Sequence, residues 1–471
     1  MPKTPYLTAP VPSTKMPGGI PYIIGNEAAE RFSFYGMRTI LVTFMTKFLL
    51  DASGKLDPMG ETDAKSYYHL FVMGAYFFPL FGAVLSDIWL GKYRTILALS
   101  VVYCLGHLAL AVDETRVGLF LGLILVALGT GGIKPCVSAH VSDQFGRTNV
   151  HLQTAVFGWF YIAINFGSSI SSMLTPWLLE ELPGWLGERF SEASLAFLGP
   201  LDRIGPHVAF GVPGVLMVVA TWVFWLGRHK FVHIPPRGAA EVLSLLKGEG
   251  GQALLRLIPI YLFVAVFWSL YDQTGAAWVL QARQMDRHWL GIEWLESQIQ
   301  VINPILILIY VPLFTYVIYP GLNRLFTLTP LRKVSIGFFL AAAAFAITAI
   351  AQQRIDRGET TTIEWQLVAY EVLTAAEVMV SVTCLEFSYT QAPREMKSII
   401  MSFYLLSVSA GNLLTALVNY FSKRSDGTMR LEGAAYYWFF TGLMFVASIL
   451  FIVVASAYRE KTYIQEEQPI A

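Results

Sequence analysis

"WFFTGLMFVASILFIVVAS", residues 438–456, runs for 19 residues without a charge. A helix needs about 20 such residues to cross the ~30 Å hydrocarbon core of a bilayer, and a soluble domain rarely sustains so long an apolar run. The same signature recurs toward the N-terminus in "IGFFLAAAAFAITAIA" (336–351), "VGLFLGLILVALG" (117–129) and "LALSVVYCLGHLALAV" (97–112). Joining runs broken by one or two polar residues yields about twelve spans, starting near residues 27, 66, 95, 117, 153, 207, 254, 295, 333, 366, 397 and 434. Composition agrees, since 55% of the 471 residues are hydrophobic and 14% charged, with a mean hydropathy of +0.53, far from an ordinary soluble enzyme. Barrel strands would be short and would alternate in polarity, which these runs do not. The expected fold is an all-α integral membrane protein in a lipid bilayer.

Lysine and arginine near the span ends set the expected orientation. Alternate loops carry Lys92 and Arg94, Arg147, the group Arg228, Lys230, Arg237 and Lys247, then Arg332 and Lys333, and Arg394 and Lys397. The opposite loops are more acidic, as in "DPMGETD" and "LLEELPGWLGERFSEAS". An even number of spans with both termini in the cytoplasm fits this pattern. The longest internal linker divides six spans from six. The expected organisation is a tail over 1–26, a six-helix bundle over 27–227, a cytoplasmic linker over 228–252, a second bundle over 253–458 and a tail over 459–471. The Pro-rich start lacks the apolar core of a signal peptide, so the first span is expected to direct insertion. Cys104, Cys136 and Cys384 all fall in spans, so no disulfide framework is expected. No metal-ligand spacing, phosphate-binding loop or nucleophile elbow is present, and neither an enzyme nor a cofactor is expected. The formal net charge of zero says nothing of partners, and no nucleic-acid partner is expected.

An ionisable group inside a span costs several kcal/mol unless paired or hydrated, so those present carry the functional information. In "GNEAAERFSFYGMR" (25–38), helical spacing puts Glu27, Glu30, Arg31, Tyr35 and Arg38 on one stripe. A cap that snorkels to the headgroups is the alternative, but a carboxylate both beside Arg31 and one turn back exceeds what a cap needs. A glutamate held by Arg31 stays ionised, and takes up a proton more readily once that arginine turns to a bound anion. This couples proton and ligand. Lys134, in "GGIKPC", stands inside the fourth span beside Pro135, where a broken, glycine-rich helix is expected. Close glycine packing is the alternative there, and it leaves the lysine unexplained. Glu386 is an isolated carboxylate suited to an ammonium group, and Asn303, beside Pro304, can accept a hydrogen bond from it. Asp272 follows Trp268 by one turn, so both can face a cavity, with Lys134 the natural partner of Asp272 across the halves. His69, near the start of the second span, has an ordinary pKa near 6.5 that suits a proton relay, or is an interfacial histidine satisfied locally.

The chain resembles the proton-coupled oligopeptide transporters of the major facilitator superfamily along nearly its whole length. The likeness rests on "EAAERFSFYG" (27–36), "FGAVLSDIWLGKYRT" (81–95), "GTGGIKPCVSAHVSDQF" (129–145), "FYIAINFGS" (160–168), "FWSLYDQTGAAW" (267–278) and "LEFSYTQAP" (385–393). The resemblance implies two six-helix bundles and alternating access. It implies that Arg31, Tyr35, Arg38 and Lys134 face a peptide carboxylate, that Tyr76, Tyr161 and Asn165 line the site, and that Glu386 and Asn303 take the peptide amino terminus. Trp268 and Tyr404 would wall the side-chain space, while Glu27, Glu30, His69, Lys134 and Asp272 would handle protons and gating. Phe34 departs from the family's first tyrosine of a YYG pair and removes a hydroxyl from the carboxylate end. The extra helix pair of many bacterial members and the extracellular domain of animal members find no room here. The expected function is proton-driven symport of di- and tripeptides by a compact bacterial inner-membrane protein acting as a monomer. A carrier of nitrate, another small anion or an amino-acid-like solute is the rival within the fold, and a membrane sensor the rival outside it.

Overall fold

The computed structural model describes residues 6–191, 194, 200–236, 238–240, 244, 248–391, 397–424 and 429–458. Arg237, Lys247, Arg394 and the tail 459–471, all invoked above, lie outside them. Twelve long helices are described: α1 (Ile20–Lys47), α2 (Glu61–Leu90), α3 (Lys92–Val112), α4 (Arg116–Asp143), α5 (Gln153–Glu180) and α6 (Leu201–Leu226), then α7 (Glu249–Tyr271, continued by Ala277–Arg283), α8 (Gln298–Leu325), α9 (Pro330–Asp356), α10 (Glu364–Thr390), α11 (Lys397–Ser422) and α12 (Gly433–Ala457). Ten are long and apolar enough to cross a membrane by composition alone. The other two are α1 and α5, and in α1 the buried Glu27, Glu30, Arg31 and Arg38 account for the shortfall.

Each half packs round its own core. Phe34, Met37, Phe44, Tyr68, Tyr103 and Phe210 belong to the first, and Phe267, Trp278, Phe338, Phe345, Tyr370 and Phe440 to the second. Glycine permits close approach within the first bundle, where a methyl group added at Gly82 of α2 would overlap the Gly132 Cα of α4. The helix break expected at Lys134 is absent. α4 runs unbroken through Pro135, one missing backbone bond being tolerable inside a packed bundle. The break lies in α7 instead, where Asp272–Gly275 tighten into a 3₁₀ turn. A methyl group at Gly275 would overlap Tyr68 Oη, so the turn brings the second half's backbone against the first half's α2. In α10 the turn Val378–Val382 widens to i→i+5 bonding directly after Glu377.

The segment ahead of α1 packs at the end of the first bundle where α1 begins. There Leu7 pairs with Val232 just after α6, and Tyr6 stacks on His233 with ring centroids 4.2 Å apart. At the far face polar contacts join the halves. Lys47 at the end of α1 reaches Glu180 of α5 at 2.8 Å and Glu296, ahead of α8, at 2.6 Å. Glu296, buried, also holds Arg283 at 3.1 Å and Arg287 at 2.8 Å. Arg283 donates in turn to Thr46 at 2.9 Å. Burial disfavours the charged form of Glu296, yet the Lys47 hydrogen bond and the charges of Lys47, Arg283 and Arg287 prevail and hold its carboxyl below the usual range.

Candidate functional site

The polar stripe of α1 points into the protein, since Glu27, Glu30, Arg31 and Arg38 are all buried. A headgroup-facing cap would leave them exposed. Arg31 Nε donates to Glu27 at 2.6 Å and lies 3.2 Å from Glu30. Glu30 also accepts the Thr130 hydroxyl from α4. One arginine therefore bridges two carboxylates, the arrangement in which withdrawing the guanidinium leaves two like charges side by side.

Two turns farther along α1, Arg38 joins the halves. It donates to Tyr68 Oη at 2.5 Å and forms an ion pair with Asp272 at the α7 break. Asp272 accepts a second hydrogen bond from Asn412 Nδ2 of α11 at 2.6 Å, and Asn412 Oδ1 lies 2.8 Å from His69 Nδ1. With the Asn412 amide N–H given to Asp272, its oxygen accepts from His69, which places the imidazole proton on Nδ1. His69 is thus buried in a chain running His69–Asn412–Asp272–Arg38–Tyr68 and is not interfacial. The cross-half pairing expected between Lys134 and Asp272 is not formed, because Arg38 and Asn412 already occupy both Asp272 oxygens. The Lys134 ammonium sits instead 3.9 Å from the Phe34 ring centroid and 4.1 Å from that of Tyr76.

A cavity lies between the halves beside this chain, bordered by Tyr35 and Arg38 from the first and by Tyr271, Gln300, Asn303 and Tyr370 from the second. Asn303 Nδ2 donates to Glu377 at 2.7 Å and to Thr374 at 3.1 Å, while its oxygen accepts from Tyr271 at 3.1 Å. Asn303 therefore borders the cavity, and the carboxylate beside it is Glu377. Glu386 is exposed and makes no hydrogen bond among the described residues, so its expected place beside Asn303 is corrected. Other residues singled out in the sequence lie apart from this cavity. Asn165 turns back onto its own helix, donating to the Tyr161 carbonyl at 2.9 Å, and Tyr161 packs against the Ile307 and Phe314 cluster of α8. Trp268 and Tyr404 belong to the second core, the indole edge-on to Tyr271 at 5.1 Å and the phenol 3.4 Å from Ser381, and neither borders the cavity. Sequence reasoning passed over Glu377, Asn412, Tyr68 and Tyr271. An acid in the middle of "LTAAEVMVSV" was signal enough for Glu377.

A family model described as "POT family" matches residues 93–246 and 239–439. The chain belongs to the POT family. It is 36% identical over 413 residues to the Homo sapiens protein named solute carrier family 15 member 2, covering 78% of this chain and 53% of that one. It is also 36% identical over 386 residues to peptide transporter family 1 of Drosophila melanogaster, covering 74% and 49% respectively. The chain thus spans about half the length of the curated relatives it matches. Among solved structures it is similar to an auto-inhibited POT family peptide transporter, with 35% identity and a TM-score of 0.83 over 96% of this chain and 99% of that one. A second POT family transporter, solved in meso, has 34% identity and a TM-score of 0.81 over 94% and 99%. The two bundles of this POT chain are therefore a major-facilitator-like fold, and the motifs quoted from its sequence are family motifs. Among the described residues no cluster of histidine, cysteine and acidic side chains is arranged to hold a metal.

Proposed function

We propose that this chain is a proton-coupled symporter that imports di- and tripeptides by alternating access. The observation that carries the reading is that the cations near the cavity stand on one bundle and an acid held by a cavity-lining asparagine stands on the other. Arg31, Arg38 and Lys134 stand on the first bundle, and Asn303 with Glu377 on the second. A peptide zwitterion suits that split, its carboxylate toward the cations and its ammonium toward Glu377, with charge-assisted hydrogen bonds at both ends. The relatives named for peptide transport support the substrate class.

The proton enters at the Glu27 and Glu30 pair, with His69 as a relay. A peptide carboxylate competes with these glutamates for Arg31, and the glutamate released takes the proton. Both ligands then favour the occluded state by differential binding. Each inward charge gains about 2.3 kcal/mol per 100 mV, so a proton carried with a neutral zwitterion drives accumulation. The Arg38–Asp272 pair re-forms after release. The protein acts as a monomer in a bacterial inner membrane with its termini in the cytoplasm, and its coupling ion is the proton, with no cofactor.

The test is uptake of labelled dialanine by purified protein in liposomes, with and without an inward proton gradient. Accumulation above equilibrium that depends on the gradient is the expected result. Uptake of nitrate or a single amino acid in place of dialanine would refute the peptide reading. Glu27→Gln and Glu30→Gln are expected to abolish gradient-driven accumulation while exchange of peptide across the membrane persists. Undiminished accumulation in both would place the proton site elsewhere.

A further inference from the structure

The resemblance at Phe34 pointed to a lost hydroxyl at the carboxylate end, and the geometry assigns this ring a different part. Lys134 stands near Glu30 and Glu27 but is in contact with neither. Its Nζ is buried, makes no hydrogen bond, and forms no ion pair among the described residues. What it has are two aromatic faces, Phe34 of α1 at 3.9 Å and Tyr76 of α2 at 4.1 Å. The electron-rich face of a ring attracts an ammonium, most strongly where water is excluded. A lysine side chain on a helix leans toward the N-terminus of that helix. In α4 that direction carries Nζ from the level of residue 134 toward that of Thr130, the partner of Glu30, where it meets the Phe34 ring. Phe34 itself is fixed by packing. It is fully buried, edge-on to Tyr35 at 5.6 Å and close to Phe71 at 6.1 Å.

We propose that Phe34 and Tyr76 form an aromatic seat that positions the Lys134 ammonium for the carboxylate end of the ligand, and that Phe34 serves through its π face. An ammonium has three N–H donors and no acceptor. A ring face takes none of them, so it holds the charge in place and leaves the donors for the incoming anion. Phe34 is on this account a positioning residue acting through Lys134, and its contribution falls on ligands that bear a free carboxylate. The inference rests on the peptide reading of the cavity.

The experiment compares two probes in liposomes, dialanine and its C-terminal amide, by competition against labelled dialanine exchange. Phe34→Leu keeps an apolar side chain but removes the ring. It is expected to weaken dialanine about tenfold and the amide less than twofold, so that selectivity for the free carboxylate falls. Combined with Lys134→Ala, it is expected to add nothing to the loss from Lys134→Ala alone. Phe34→Tyr, which keeps the ring face, is expected to retain most of the selectivity. Equal weakening of both probes, or losses that add in the double variant, would mean that Phe34 only fills space and would overturn the inference. Should Phe34→Leu fail to fold, Tyr76→Leu removes the other half of the seat and is read in the same way. A parent protein that neither binds nor exchanges dialanine overturns the peptide reading, and this inference with it. A parent that does, with selectivity unmoved in the variants, overturns the inference alone.

Discussion

Asn303, which borders the cavity, holds Glu377 on one side and Tyr271 on the other, so the Glu377 carboxylate stands oriented directly behind the cavity wall. Replacing it removes a charge-assisted contact of about 1.5–3 kcal/mol, or roughly 10- to 150-fold in affinity. Glu377→Gln is therefore expected to raise the KM for dialanine uptake by at least tenfold, while Glu386→Gln shifts it by less than twofold; the reverse order would restore Glu386 to the site. Local spacing made the α1 stripe legible, because residues three and four apart must share a face of a regular helix. The same rule fails in α10. The widened turn at Val378–Val382 slips the register between Glu377 and Glu386, and a fixed 3.6-residue period cannot see it. Both acids look alike in the sequence, and the motif that matched best lay over the exposed one.

Helices were legible as elements and less so at their ends. The expected first residues of α1, α2 and α6 were 27, 66 and 207, whereas these helices begin at Ile20, Glu61 and Leu201. Apolar runs mark where hydrocarbon begins, and a helix continues beyond it into the polar layer. Breaks were harder still. Proline in α4 suggested one and the packed bundle absorbed it, while the α7 turn at Asp272–Gly275 carries no proline at all. Glycine contacts provide a direct test at this scale. Gly82→Ala forces α2 from α4 where the backbones meet at Gly132, and is expected to destabilise the protein by about 1–3 kcal/mol. Gly184→Ala, in the short helix Leu182–Arg189 with open space around it, is expected to be neutral or slightly stabilising. Thermal melts in detergent compare them; equal melting temperatures would deny the close approach.

At the scale of the whole molecule, the sequence foretold two halves but not which residues would meet between them. Arg38 and Asp272 are 234 positions apart, and no periodicity links them. The far-face network round Glu296 was equally hidden, because its members sit at helix ends and in a loop where charge is ordinary. Its pH dependence follows from the lowered Glu296 carboxyl. A depressed native pKa means the stabilisation is fully present above the unfolded value and is lost as pH falls through the native one. The melting temperature is thus expected to drop below about pH 4.5, the ordinary glutamate value. Glu296→Gln is expected to flatten that part of the profile and to cost about 1–3 kcal/mol at neutral pH. An unchanged acid limb in the variant would show that other carboxylates set it. The Arg38–Asp272 pair has a mechanical meaning as well, since it is a fulcrum set off centre. It lies nine residues from the Lys47 end of α1 and eighteen from the Ile20 end, lever arms of about 14 and 27 Å. A rigid tilt about that point that parted the Lys47 end by 1 Å would swing the Ile20 end by about 2 Å, so small slack among the Lys47 contacts would be doubled in travel at the start of the helix.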